Sequence, residues 1–235
     1  MAHPAVNALI QLLPPPQRKH LIAQCEPIEL VLSQVLCEPG QVLAHAYFPL
    51  QGFVSLVVQV DTHPGLEVGM IGREGMLGSE LALGMDTTPW RALSQGAGSC
   101  LRLEADSFRQ LVQASPELQR VCHNYLLVRL HQLTLSAACE RFHVIGPRLA
   151  RWLLMTQDRA HADTFHVTHE FMALMLGVRR VGVTMAASAL QRSGLITYHR
   201  GEVTVLHRAG LEAEACSCYL TDKTHYHRLM HLPQA

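Results

Sequence analysis

A chain of 235 residues suggests one or two domains, and its 49% hydrophobic content points to packed globular cores. No apolar run reaches the roughly 18 residues of a membrane span, and the start MAHPAVNALIQLLPPP has neither a charged leader region nor a cleavage site. A cytoplasmic location without a membrane partner is therefore expected, and the formal net charge of zero at first counts against nucleic acid as well.

Asn7 to Leu13 reads as a short helix stopped by a stiff turn at Pro14-Pro15-Pro16, and Gln17 to Cys25 as a second one. The texture then changes. From Ile28 to about Leu103 the chain consists of short apolar or alternating runs, IELVLSQVL, QVLAHAYF, FVSLVVQV and LEVGMIG, set off by turn signals such as Pro39-Gly40 and Gln51-Gly52 and followed by a Gly-rich connection. Many short strands at regular spacing indicate an all-β barrel or sandwich such as a jelly roll. Ala105 to Ala114 predicts a helix, and Ser115-Pro116 opens a longer one running to about Cys139, because proline is tolerated in a first turn. Along it Leu118, Val121, Tyr125, Val128, Leu130 and Leu133 cover more than one face. A stripe that wide buries one side in its own domain and the other against a second copy of the chain; burial wholly within the monomer is the alternative. Arg141 to Ile145 reads as a hinge and Gly146 to about Asp158 as an amphipathic helix.

Between Thr168 and Ile196 small, turning and branched residues stand at the offsets that a helix-turn-helix requires. Counted from His169, Ala173 is fifth, Gly177 ninth and Val183 fifteenth. A bulky fifth residue would push the steeply crossing helices away from each other, the ninth makes a left-handed turn, and the fifteenth plugs the small core. Arg179 and Arg180 fall at the exposed N-terminal end of the second helix, the end that reaches base edges in a major groove. Three matches alone also suit an ordinary helical hairpin. Gly194 then caps the second helix, and LITYH and EVTVL alternate around Arg200-Gly201, which makes a winged helix and favours DNA. Charge is distributed accordingly: residues 1–140 hold eight basic against twelve acidic side chains, and residues 141–200 hold eight arginines against three acids.

That order, with EPG (38–40), YFPLQGFVSLV (47–57), VGMIGREGMLG (68–78), PWRA (89–92) and the winged helix, resembles the Crp/Fnr family of bacterial transcription regulators over nearly the whole chain. The resemblance implies an α+β architecture: a β-roll (jelly-roll) sensor domain of the cyclic-nucleotide-binding type over 1–114, a dimerisation helix over 115–140, and a winged helix-turn-helix domain over 141–235. It implies a homodimer, not an enzyme, with double-stranded DNA and RNA polymerase as partners. In nucleotide-binding members a Gly-Glu pair holds the ribose and an Arg followed by a small residue holds the cyclic phosphate. Arg91-Ala92 match the second feature, whereas Gly78-Ser79-Glu80 inserts a serine into the first at an unusual spacing from Arg91. A cyclic nucleotide, another small effector and an unliganded domain all stay open. Iron-sulfur members carry a tight N-terminal cysteine cluster; Cys25 and Cys37 stand apart, so that cofactor is not expected, and fifteen histidines offer no paired haem motif. Arg180 matches a guanine-contacting arginine of the family, while its neighbouring glutamate and second arginine correspond to Val181 and Met185. Arg179, Arg180 and Thr184 are thus expected to read bases, and Thr168, His169, Gln191 and Arg200 to meet phosphates.

Seven scattered cysteines, an odd number, fit reduced thiols rather than a disulfide framework. Cys216-Ser-Cys218 followed by His225, His227 and His231 could complete a zinc shell, but the spacings are not those of a finger and cysteine also packs as a small apolar residue, so no metal ligand is assigned. G-x-S-x-G, Walker and H-E-x-x-H sequences are lacking. The competing reading is a ligand-binding or protein-interaction module whose winged helix meets a protein.

Overall fold

The computed structural model describes residues 6–63 and 65–231. Two short helices lead in, α1 (Ala8–Gln11) and α2 (Pro15–Gln24). The Asn7 side chain caps α1 by accepting from Leu9 N–H at 3.0 Å, while its amide donates to the carbonyls of Pro49 and Gly75 at 3.1 and 2.8 Å. One buried side chain thereby fastens the entry helix to the sheets. The turn expected across three prolines is shorter than the sequence suggested. Pro15 and Pro16 form the first turn of α2, where the missing N–H has no partner to lose.

The strand-rich stretch forms two antiparallel sheets. Strands β1 (Glu26–Leu30), β7 (Gly98–Glu104) and β3 (His45–Pro49) make one; β2 (Val35–Cys37), β6 (Arg91–Ser94), β4 (Val54–Val58) and β5 (Leu66–Ile71) make the other. The run IELVLSQVL, expected as one strand, is cut because Ser33 takes φ +66° and sends β1 and β2 to different sheets. Phe48, Leu56, Ile71 and Leu103 share a buried core with Phe108 of α3 (Ala105–Ala114), each worth roughly 1.5–3 kcal/mol of burial. A 3-10 turn, Ser79–Leu83, lies in the Gly-rich connection.

Helix α4 (Pro116–Phe142) starts where Ser115 Oγ accepts from Leu118 N–H at 3.0 Å, and it continues three residues beyond the expected end. Leu118, Val121, Tyr125 and Val128 pack into the β-roll core. A second side is covered by the chain itself, since α9 (Cys218–Met230) folds back along α4. Gln132 donates to Asp222 at 3.3 Å, Asn124 to the Leu229 carbonyl at 3.1 Å, and the rings of His131 and His225 stack at 3.7 Å. Burial within the chain, the alternative to a second copy, thus accounts for part of the second side. Leu127 and Leu130 remain 51% and 61% exposed.

Between α4 and α5 (Ile145–Ala160) only His143 and Val144 are non-helical, so the hinge is tighter than 141–145. Arg148, Arg151 and Arg159 of α5 are buried. Arg148 donates to the Leu176 carbonyl at 2.5 Å and pairs with Glu140, and Arg159 pairs with Glu74 at 2.9 Å. Three of the eight arginines in the basic stretch 141–200 therefore do not face solvent, and two of them, Arg148 and Arg159, tie α5 to its neighbours.

The two halves also meet at Glu67 of β5. Its carboxylate accepts from Trp152 Nε1 at 2.8 Å and from Ser55 Oγ, and the residue is partly buried. Burial pushes its pKa up to about 7 from an ordinary 4.5, against the opposing pull of the Ser55 and Trp152 hydrogen bonds and of Arg159 and Arg151. A raised carboxyl pKa means that the docked state binds the proton more tightly than the solvated state. The stabilisation is complete below pH 4.5 and is lost as pH rises through about 7. Glu67→Gln, which mimics the protonated side chain, should flatten this region of the stability profile between those values. Thermal melts of both proteins across that pH range test it, and parallel profiles would remove Glu67 as the titrating contact.

Candidate nucleic-acid interface

The C-terminal region builds its reading head from short-range geometry. Thr168 Oγ1 accepts from Phe171 N–H at 3.1 Å and so starts α6 (His169–Met175). The path then turns by 111° into α7 (Arg180–Arg192), within the range of a helix-turn-helix. Gly177 sits at φ +62°, and Val178 N–H closes back on the Ala173 carbonyl at 3.0 Å. Ala173 and Val183 are buried at the crossing. The fifth, ninth and fifteenth positions thus do what their side chains suggested.

Gly194 at φ +69° stops α7, with Leu195 N–H donating to the Leu190 carbonyl at 3.0 Å. Strands β9 (Ile196–His199) and β10 (Glu202–Val205) then pair around Arg200 and Gly201, at φ +50° and +85°, the left-handed pair that a tight hairpin needs. A third strand, β8 (Thr164–His166), pairs with the other edge of β10. Three residues are too few for an alternation signal, which is why the sequence did not announce it.

Arg179 is the residue before α7 and Arg180 its first; both are exposed. Val181 and Met185, 64% and 69% exposed, share that helix. Thr184 is exposed too, and its hydroxyl donates to the Arg180 carbonyl at 3.1 Å. With that hydrogen committed, the 3.0 Å contact from His169 Nδ1 to Thr184 Oγ1 makes the imidazole the donor. Burial first, and the Arg180 charge second, hold the His169 pKa below its usual value. The ring stacks on Tyr198 of the wing at 4.0 Å and 18°. Gln191 accepts from Tyr198 N–H at 2.7 Å. His169 and Gln191, expected at phosphates, are thus occupied in joining helices to wing. Tyr198 is the partner that sequence reasoning missed, although its place in ITYH put it on an alternating strand. Arg200 stands exposed at the wing tip.

The residues expected to hold an effector sit in the β-roll. Gly78, at φ +88°, opens the 3-10 turn; Ser79 is buried, and one Glu80 carboxylate oxygen is buried without a protein hydrogen-bond partner. Burial raises the Glu80 pKa. Ala92 is buried, whereas Arg91 is exposed and donates to Glu38 at 2.8 Å. One N–H of the Arg91 guanidinium, the group expected at a cyclic phosphate, is engaged by Glu38 in an exposed ion pair.

In the tail, His225 stacks on His131, and His227 on His231, away from the two nearby cysteines. Cys216 and Cys218 meet Cys139 and His143 instead, with the four donor atoms within 4.8 Å of one another. A sequence separation above 70 residues hid this grouping. Its local traces are Cys216-Ser-Cys218 and, far from it, a cysteine and a histidine four apart at a helix end.

Residues 147–214 match the family model described as the Crp-like helix-turn-helix domain. No curated protein matches the chain. Among solved structures, the c-di-GMP-responsive global regulator CLP of Xanthomonas campestris superposes with a TM-score of 0.65 at 19% identity, covering 81% of this chain and 98% of that one. FixK2 from Bradyrhizobium japonicum gives 0.70 at 13% identity, with 82% and 98% covered. A CRP/FNR-family transcriptional regulator of Thermus thermophilus gives 0.66 at 22%, with 81% and 98% covered. At such identities the likeness is one of fold.

Replacing Gly177 with alanine puts a Cβ into a left-handed backbone and 2.9 Å from Leu66 Cδ1. The left-handed conformation alone costs about 1–2 kcal/mol. Urea unfolding should show a loss of that size, and an unchanged midpoint would show that the turn tolerates a side chain.

Proposed function

We propose, from a chain that has the fold of the Crp/Fnr regulators and carries a Crp-like helix-turn-helix domain, that this protein is a homodimeric, cytoplasmic transcription regulator reading a pseudo-palindromic operator through α7. The observation that carries the reading is the pair of exposed guanidinium groups, Arg179 and Arg180, at the N-terminal tip of α7, in a region where Arg148, Arg151 and Arg159 are all buried. An arginine there can donate two hydrogen bonds to guanine O6 and N7. Val181 and Met185 offer apolar surface to thymine methyl groups, and Arg200 reaches a backbone phosphate from the wing. Two such heads read half-sites about 34 Å apart when paired by a two-fold axis. The exposed Leu127 and Leu130 of α4 supply apolar surface for that pairing, and RNA polymerase is the regulator's second partner.

The effector, in this reading, is a small molecule on the β-roll that touches the turn at Gly78, Ser79 and Glu80 and the strand at Arg91 and Ala92. The unpartnered Glu80 oxygen supports it. A phosphate-bearing ligand competes with Glu38 for the Arg91 charge, and that competition weakens it.

Arg180→Ala should lose roughly 1–3 kcal/mol of operator affinity and relax the preference at one base pair in gel-shift series, with log affinity falling steeply against log salt for both proteins. Unchanged sequence preference would take Arg180 out of the reading set, and salt-insensitive association with duplex would favour a protein-binding winged helix. On the sensor side, Glu38→Gln should raise the calorimetric affinity for a cyclic mononucleotide. If wild type and variant bind it equally, or neither does, Arg91 is not a phosphate ligand.

A further inference from the structure

We propose that Cys139, His143, Cys216 and Cys218 form a tetrahedral zinc site that clamps the hinge between α4 and α5 to the start of α9. Cys139 and His143 stand one turn apart at the end of α4, so both side chains leave the same face. Cys216 and Cys218 flank the single serine before α9, and Cys216 N–H donates to the Pro147 carbonyl at 3.3 Å, which holds that turn against α5. The sulfurs of Cys139 and Cys216 are 3.6 Å apart, as are Cys218 Sγ and His143 Nδ1. Zinc bonded at about 2.3 Å to sulfur and about 2.0–2.1 Å to nitrogen generates a tetrahedron with edges of roughly 3.5–3.8 Å. The two separations agree with those edges, and a cage of this size accommodates one ion.

Composition and burial favour ligation over plain packing. The three cysteines are buried in a small group of their own, apart from the two main cores, with Leu135 the partly buried hydrophobic packed against them. Their polar ends face one another, an arrangement that gains little from burial unless something binds between them. Arg151 is buried beside the group, and its Nε lacks a hydrogen-bond partner on the described protein. Three thiolates, one neutral imidazole and a divalent ion sum to a single negative charge, which this guanidinium offsets. Cys25, Cys37, Cys100 and Cys122 stand outside the group. Because His143 is one of two residues joining the helices, an ion held there fixes the orientation of α5. The effect of that clamp on operator affinity rests on the regulator reading; metal binding itself does not.

The test uses the full chain, purified under reducing conditions and equilibrated with zinc at micromolar free concentration. Elemental analysis should find one zinc per chain, and cobalt(II) substitution should give thiolate charge-transfer bands with the d–d absorption of a tetrahedral ion. Cys216→Ser and His143→Gln should each lower zinc affinity at least tenfold while circular dichroism shows the fold kept; Cys25→Ser should retain one zinc. Sub-stoichiometric zinc in the wild type, equal zinc in the two ligand variants, or iron with acid-labile sulfide would overturn the site. If one of the two ligand variants unfolds, retained zinc in the other counts against the site equally. A chain that holds one zinc and binds no DNA refutes the regulator and leaves the site standing. One whose operator affinity is the same before and after chelation refutes the coupling alone.

Discussion

Helix α4 has to satisfy two neighbours at once, and most of the architecture follows from that constraint. Its Leu118, Val121, Tyr125 and Val128 complete the β-roll core, so their azimuth is set by the sheets. The remaining circumference is divided between α9, which lies against Asn124, His131 and Gln132, and the exposed Leu127 and Leu130. A helix so fixed cannot roll without breaking one packing or the other. The chain runs from there to the helix-turn-helix through its C-terminal end, where two non-helical residues connect it to α5.

That end is tied down by charge. Arg148 grips Glu140 on α4 and the Leu176 carbonyl after α6, and Arg159 grips Glu74 from the β-roll. Taking such groups out of water is costly, and a buried pair adds little net stability over an apolar substitute. Directionality is what these contacts contribute. Apolar packing between α5 and the β-roll through Phe53 and Met70 tolerates sliding, whereas a guanidinium shared by two acceptors fixes one angle.

Local sterics were legible in the sequence and long-range meetings were not. Gly177, Ala173 and Val183 could be read because the turn they build depends on a few adjacent torsions. Ser115 and Pro116 marked the start of α4 for the same reason. The break inside IELVLSQVL depends on Ser33 adopting φ +66°, a conformation imposed by two sheets competing for β1 and β2, and no local property of serine signals it. Arg148, Arg151 and Arg159 looked like surface charge because an amphipathic pattern does not say whether a carboxylate waits opposite an arginine. Thr184, His169 and Gln191 were recognised as belonging to the head, but their mutual hydrogen bonds and the role of Tyr198 became visible only with the wing in place. The same holds for Cys139 and His143, whose partners arrive through the return of α9.

A regulatory signal can move the readers only if it binds one arrangement better than another. Rotation of α5 about His143 and Val144 would separate Trp152 from Glu67 and Arg159 from Glu74, and it would pull Arg148 off one of its two acceptors. These contacts therefore define the docked state energetically, and a ligand that favours release must supply at least their combined worth. The recognition helix is insulated from much of that motion. His169 and Gln191 hold α6, α7 and the wing together through Tyr198, which ties the elements that carry Arg180 and Arg200 into one packed unit. The contacts that shape the helix-turn-helix surface lie within the head, and those that orient it lie outside.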